Sequence, residues 1–333
     1  MSSEALVSIL IPAYNSESWL SSTIQSAIDQ SWNNKEIIIV DDGSTDNTFN
    51  IAKKFESKSV KVVTQKNSGA CVARNHALSI SQGDFIQWLD SDDLLHKEKI
   101  KTQLESANLA HNVKVLHSCA WGRFYYDINK AKFESNILWQ DLQPIDWLIC
   151  NLEQGYFIHP AAWLVSRKIT DSAGPWNESL LKNQDGEYFS RVVAGSELVN
   201  FHSDAICYYR RGILSSVSSN RSIKALESLS QANNLCVDLL LKLENSERTR
   251  NACIKFLQRF VHKNYYTNAD CISKNKKRII ELGGVVNPPS TSLRFRLVKM
   301  FVGVERAIRI KLHFWNTEIV LRRSWEKFIS TFH

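Results

Sequence analysis

The first 95 residues predict an α/β fold built on a mostly parallel sheet flanked by helices. Three observations carry this expectation. Short aliphatic runs alternate with segments of helical period. The links between them are short. Polar residues gather where the strand runs stop. Strand and helix in regular alternation build a parallel sheet covered on both faces. Such sheets bind their ligands outside the carboxyl ends of the strands.

Each element has its own signal. Val7-Ser-Ile-Leu-Ile11 is a buried-strand run ended by Pro12. Ser16 or Ser18 can cap a helix in which Trp19, Leu20, Thr23, Ile24, Ala27 and Ile28 recur at helical spacing. Ile37-Ile-Ile-Val40 is a second strand, stopped by Asp41-Asp42-Gly43-Ser44. Asp46 can cap a helix over roughly 47–56. Val60 to Val63 is a third strand, Asn67-Ser68-Gly69 a loop, and Ala70 to Ile80 a helix. Phe85 to Leu89 is a fourth strand, ending in Asp90-Ser91-Asp92-Asp93.

Residues 96–220 continue the same domain, with five tryptophans and short strands near Val113 to Cys119 and Ala205 to Arg210. Residues 221–285 read as a helical extension, with Ala225, Leu229, Ala232, Cys236, Leu239 and Leu243 repeating every three or four residues. Gly283-Gly284 and Pro288-Pro289 then break the chain, and residues 286–333 form a basic segment.

Composition excludes disordered, collagen-like and coiled-coil classes: 44% of residues are apolar and 23% charged. The net charge of +7 belongs to the end of the chain, where residues 272–333 hold 13 basic and 4 acidic side chains. Seven cysteines show no Cys-x-x-Cys spacing and no nearby histidine cluster. They read as free thiols in a reducing compartment. No secretory signal and no membrane-spanning run is expected.

Four constellations carry chemistry. The carboxylates of Asp90, Asp92 and Asp93 repel one another at a strand end, a conflict that a hard divalent cation removes. The plain alternative is a solvated turn capping a helix. Asp41-Asp42 follows an aliphatic strand, and a carboxylate there can accept the N3 hydrogen of uracil; an Asp-Gly turn gives the same pattern. Arg74 lies one turn inside the helix after Asn67-Ser-Gly69, where it can hold a nucleotide or simply face solvent. Asn183-Gln184-Asp185-Gly186-Glu187 offers a carboxylate that could return to the cleft as a general base. Neither Gly-x-Gly-x-x-Gly, a P-loop nor a Gly-x-Ser-x-Gly elbow occurs.

Taken in order, these stretches resemble the family 2 glycosyltransferases, inverting enzymes of the GT-A fold that use nucleotide-diphosphate sugars. The matching segments are Val7-Ser-Ile-Leu-Ile-Pro-Ala-Tyr-Asn15, Ile39-Val-Asp-Asp-Gly-Ser-Thr-Asp46, Asn67-Ser-Gly-Ala-Cys-Val-Ala-Arg-Asn75 and Gly83-Asp-Phe-Ile-Gln-Trp-Leu-Asp-Ser-Asp-Asp93. A fifth is Gly174-Pro-Trp-Asn-Glu178 leading to Gln184-Asp185-Gly-Glu-Tyr-Phe-Ser-Arg191. The resemblance spans about residues 5–215 and implies a GT-A-type, Rossmann-like domain over residues 1–220. It further implies that Pro12 to Tyr14 line the nucleobase pocket, Asp42 contacts the base (most simply uracil), and Arg74 contacts the nucleotide. Asp90 and Asp92 become the Asp-x-Asp element, with Asp92 the direct ligand of Mg²⁺ or Mn²⁺. Asp185 falls on the catalytic base position.

Two departures bear on the acceptor. The family often has Gly-Gly-Phe-Asp-Glu where this chain has Gly174-Pro-Trp-Asn-Glu178, and Glu-Asp where it has Gln184-Asp185. The expected partners are a nucleotide-sugar donor and a glycan or lipid-linked acceptor. A non-catalytic sugar-nucleotide or carbohydrate-binding protein and a nucleotidyltransferase are the competing classes. Retained Asp42, Asp90, Asp92 and Asp185 oppose the first. The lack of a Gly-rich basic loop after strand one opposes the second.

In the tail, Leu297, Phe301, Val304, Ile308, Leu312, Trp315 and Ile319 form one apolar stripe among basic residues. Such a helix can lie in an anionic membrane interface or pack on the domain. The chain is therefore expected in the cytoplasm, with peripheral contact to the cytoplasmic membrane face as one outcome. No nucleic-acid partner is expected, since the charge accompanies an apolar stripe.

Overall fold

The structure is a computed structural model that describes residues 5–105, 113–156, 159–212, 222–265, 269–289, 300–302 and 306. Its first sheet holds β1 (Val7–Ala13), β2 (Lys35–Asp41), β3 (Val60–Thr64) and β4 (Phe85–Trp88), with the two-residue β8 (Val165–Ser166) at one edge. The order is β3-β2-β1-β4-β8; the first four strands are parallel and β8 is antiparallel to β4. Helices α1 (Leu20–Ile28), α2 (Thr48–Lys53) and α3 (Ala70–Ser79) link the strands.

Side-chain alternation along the strands explains the two-sided cover. Val7, Ile9 and Ile11 pack with Leu20, Ile24 and Ala27 of α1 on one face. Leu10, Ile38 and Val40 pack on the other face with Cys71, Ala73 and Ala77 of α3. Both faces are dry, so the strand runs are almost wholly aliphatic.

A second sheet follows. It pairs β5 (Leu94–Leu95), β9 (Leu198–Arg210), β6 (Val115–Phe124) and β7 (Lys132–Phe133) in that order. The long strands β6 and β9 are parallel, with an irregularity after Cys119. Both run well beyond the short strands expected from sequence, because each backbone satisfies the other across ten register positions. The Ser91-Asp92-Asp93 turn precedes β5 instead of capping a helix.

Between these strands lie α4 (Lys99–Glu105), α5 (Pro144–Gln154), α6 (Arg167–Ala173) and α7 (Gln184–Ala194). Three helices complete the described chain: α8 (Ile223–Leu243), α9 (Glu247–Asn264) and α10 (Ala269–Glu281). Ser222 caps α8, and Ser246 with Thr249 forms a capping box on α9. Val237, Leu240, Leu257 and Val261 of this extension join the same buried cluster as Leu10 and Trp88. The extension thus shares one core with the sheet.

Local differences from the sequence reading are few. Neither Ser16 nor Ser18 caps α1, whose preceding residue Trp19 makes no side-chain cap. Ser16 instead bonds Ser91 across the cleft. Asp46 does accept from the Thr48 amide at the start of α2. All seven cysteines are free thiols, six of them buried and Cys150 half-buried. No described helix is long and apolar enough to cross a membrane. Of the tail's proposed apolar stripe, only Phe301 lies among the described residues.

Candidate active site

Because β1, β2 and β4 are parallel, their carboxyl ends open on one edge. Ala13 sits in register with Asp41, and Leu10 with Trp88. Tyr14, Asp42 and the Asp90 turn are therefore neighbours by construction. Pro12 is buried in the sheet, while the Tyr14 ring is 49% exposed. Asn15 takes a left-handed backbone (φ 45°), which asparagine tolerates. Its side-chain oxygen accepts from the Thr45 amide at 2.8 Å, tying the β1 end to the β2 end.

Asp42 organises the loop before α3. Its Oδ1 accepts from Gln65 Nε2 (2.8 Å) and the Ser68 amide (2.9 Å), and its Oδ2 from the Gly69 amide (2.8 Å). Three of about four lone-pair sites are thus filled, leaving capacity for one more donor. Gly43 is required beside it. Its φ is +70°, and a Cβ there would stand 2.7 Å from the Asn67 amide nitrogen.

The three carboxylates of Asp90-Ser91-Asp92-Asp93 do not act together. Asp93 is fully buried; its Oδ1 accepts from the Arg210 amide at 2.8 Å and its Oδ2 lies 3.3 Å from His159 Nδ1. Burial pushes the Asp93 carboxyl well above the usual carboxylate range and pushes His159 down to about 3. Asp93 is therefore a buried anchor, whereas Asp90 and Asp92 stay partly exposed. Arg210 fixes the turn through the Asp92 carbonyl (Nε, 2.8 Å) while its guanidinium stacks over Trp19 and Phe124. Burial also drives the Asp92 carboxyl well up, Asp93 and Asp90 add to the effect, and Arg210 opposes it.

Among the described residues no group of three or more His, Cys, Asp or Glu side chains forms a preformed metal cage. Asp90 and Asp92 fit a different kind of site, in which substrate oxygens and water complete a hard cation's shell. A cation beside Asp92 would also relieve the charge that burial and its acidic neighbours disfavour.

Arg74 joins the two halves of the site. It is 7% exposed, bonds Asp90 Oδ1 through Nη2 at 2.8 Å, and reaches Gln184 Oε1 through Nη1 at 3.3 Å. Its guanidinium lies 4.4 Å from the Trp176 ring centre. Burial disfavours its charge, but the Asp90 carboxylate, with smaller contributions from Cys71 and Asp185, more than offsets this and raises its pKa. Gln184 opens α7, so the next residue, Asp185, stands on the first turn of a helix docked on the cleft. Burial raises the Asp185 carboxyl; Arg74 and the Gly186 amide pull it down, and Asp90 pushes it up. The preceding Asn183 is left-handed (φ 54°), and its side chain lies where any Cβ on Gly186 would be, 2.2 Å away.

The residues singled out from sequence thus converge, although Asp90 and Arg74 are separated from α7 by about a hundred positions. Trp176, Gln184, Arg210 and His159 were not given roles there. Trp176 and Gln184 lie within quoted motifs. Arg210 and His159 carry no local signal, since their partners are 48 to 118 residues away.

A sheet of this order, with an acidic turn at the end of β4 and a carboxylate on a later helix, defines the GT-A class of nucleotide-sugar folds. Solved structures agree: S. aureus TarS residues 1–349 in complex with UDP-GlcNAc superposes with a TM-score of 0.67 at 19% identity, over 83% of this chain and 81% of that one. The sequence model described as glycosyl transferase family 2 matches residues 8–215, and the chain belongs to that family.

Among curated proteins, TuaG of Bacillus subtilis (strain 168), named for teichuronic acid biosynthesis, is 45% identical over 103 residues, 30% of this chain and 41% of TuaG. WfaP of Escherichia coli, named a UDP-Glc:α-D-GlcNAc-diphosphoundecaprenol β-1,3-glucosyltransferase, is 45% identical over 102 residues, 30% of this chain and 40% of WfaP. GlyG of Streptococcus pneumoniae (serotype 4, strain ATCC BAA-334 / TIGR4) is 28% identical over 222 residues, 62% of this chain and 71% of GlyG. The match thus spans about two fifths of the length of TuaG and WfaP.

Proposed function

We propose that the protein transfers a sugar from a uridine-diphosphate-linked donor to a hydroxyl of a glycan or lipid-linked acceptor, with inversion at the anomeric carbon. One observation supports the reading: Arg74 bridges Asp90 to Gln184, the residue before Asp185, and the charges of Arg74 and Asp90 both act on the Asp185 carboxyl. Names such as teichuronic acid biosynthesis and diphosphoundecaprenol among the relatives support a role in cell-surface polysaccharide or glycolipid assembly.

In this reading the exposed Tyr14 ring and the backbone from Pro12 flank the base, and Asp42 takes its N3 hydrogen in the remaining acceptor site. Arg74 steadies the nucleotide and Asp90. Asp185 accepts the proton of the acceptor hydroxyl as that oxygen bonds to the anomeric carbon and the diphosphate departs from the opposite face. Burial raises its affinity for a proton, and the Arg74 charge opposes that rise. Mg²⁺ or Mn²⁺ held by Asp92, with Asp90 beside it, would supply charge neutralisation to the departing diphosphate.

Asp185→Asn tests the assignment. Transfer should fall by roughly 10²–10⁴-fold while uridine diphosphate still binds within a few-fold. Equal loss of both removes Asp185 from the base role. Transfer in excess chelator should stop, and full activity there would refute the metal assignment. The basic tail is proposed to hold the protein to an anionic membrane surface; deletion after Pro289 should release it from phosphatidylglycerol vesicles.

A further inference from the structure

Trp176 lies in the loop between α6 and α7 and is 1% exposed. Two consecutive residues of α3 grip it at different points. Asn75 Oδ1 accepts from the Trp176 amide at 2.8 Å, and Asn75 Nδ2 donates to the Trp176 carbonyl at 2.9 Å. The same Nδ2 donates to Glu178 Oε1 at 2.8 Å, so both of its hydrogens are engaged. Arg74 in turn lays its guanidinium 4.4 Å from the centre of the Trp176 ring. One helix therefore holds the backbone of this residue with an amide and its ring with a cation.

The ring also rests on the helix of Asp185. It lies flat on Tyr188, with centroids 4.0 Å apart and planes 7° from parallel. Tyr188 comes three residues after Asp185 on α7, so the two are neighbours on that helix surface. Arg191, one turn further on, donates to the carbonyls of Ala173 and Pro175 and closes the loop from the α7 side. The Trp176 indole N–H makes no hydrogen bond among the described residues. The ring is thus placed by its faces and by the two backbone bonds from Asn75.

This makes the indole a spacer between the guanidinium of Arg74 and the first turns of α7. The separation matters, because the Arg74 charge acts on the Asp185 carboxyl and such an attraction varies with distance. A misplacement of about 1 Å in a reacting group can cost roughly 10²-fold in rate.

We propose that Asn75 is a positioning residue of the transfer reaction: by gripping the Trp176 backbone it sets the indole that holds α7, and Asp185 with it, in place against Arg74. The proposal rests on the reading of Asp185 as the base. Asn75 acts through Trp176 and Arg74, not on the reacting atoms.

The test uses the full chain with two variants. Asn75→Ala removes both backbone bonds. Trp176→Phe keeps them and narrows the spacer. Turnover is read as uridine diphosphate released from UDP-glucose, UDP-galactose and UDP-N-acetylglucosamine, well below each melting temperature. In both variants kcat should fall by about tenfold to a hundredfold, with uridine diphosphate affinity kept within about threefold because Arg74 retains Asp90. Hydrogen exchange read by mass spectrometry should quicken in α7 and stay unchanged in β1 and β2. In an Arg74→Ala background, Asn75→Ala should lower kcat by less than about twofold further, since residues acting through one contact are not additive.

Full additivity in that background overturns the proposal. So does a lowered melting temperature with kcat unchanged, which is the result of a merely structural bond. Asp185→Asn separates this proposal from the base assignment. If that variant still turns over donor while the coupling of Asn75 to Arg74 holds, the base assignment falls and the positioning role stands. If it is inactive while Asn75→Ala matches the wild-type protein, the reverse holds.

Discussion

Arg74 and Asp90, 16 residues apart on α3 and the β4 turn, form an ion pair of 2.8 Å in which the cation is nearly buried and the carboxylate is 31% exposed. The same guanidinium touches Gln184 and the Trp176 face, so one side chain ties the Asp90-Ser91-Asp92 turn to the start of α7.

Arg74→Ala should therefore act at a distance as well as locally. It leaves Asp90 without its partner and Trp176 without its cation. The expected cost is roughly 1–3 kcal/mol, reduced from that of a fully buried pair by the exposure of Asp90. Transfer should fall further than uridine diphosphate binding. Arg74→Lys should keep the charge and recover only part of the activity, because an ammonium cannot serve Asp90 and Gln184 in a fixed plane. Thermal melts and kcat/KM measurements check both.

As the proposed base, Asp185 predicts the acid limb of the pH profile. The carboxylate must be ionised to accept a proton, and burial raises its pKa. Activity should fall as pH drops through a value above the usual carboxylate range. Arg74 pulls that pKa down, so in Arg74→Ala the limb should move to higher pH. A limb that stays in place when Arg74 is removed would separate the two groups.

Asp92 predicts a stability effect. Its folded pKa lies well above the unfolded value. The folded state then binds the proton more tightly, so stability is full below the unfolded pKa and declines as pH rises through the folded one. Without divalent cations, Asp92→Asn should raise the melting temperature at neutral pH by about 2 °C or more. Added Mn²⁺ with uridine diphosphate should stabilise the native protein and have little further effect on the variant. Differential scanning calorimetry in chelator and in metal reads both.

Gly43→Ala tests the β2 turn. Positive φ and the nearby Asn67 amide leave no room for a methyl group. The expected cost is about 1–3 kcal/mol. Uridine diphosphate affinity should fall as well, because Asp42 and the loop it holds are the adjoining residues. Calorimetric titration against the wild-type protein gives the change.

Much of this site can be read from the sequence because its parts are local. Short, almost wholly aliphatic runs set the parallel strands, and a parallel strand delivers whatever follows it to one edge. Asp42, Asp90 and Asp92 needed nothing more to meet. Asp185 and Arg74 were legible as residue types at strand or helix ends, with their meeting implied by resemblance. Boundaries were less certain where backbone pairing decides them: β6 and β9 extend each other far past their apolar signal.

The sequence by itself determined the sheet, its order of elements and the side chains that stand at its carboxyl edge, since these follow from short-range periodicity and turn chemistry. Tertiary structure alone decided that Asp93 turns inward to Arg210 and His159, and that Arg74 spans Asp90 and Gln184. Those contacts join residues far apart along the chain. Which partner a buried charge finds there depends on how the helices pack, and no local pattern records it.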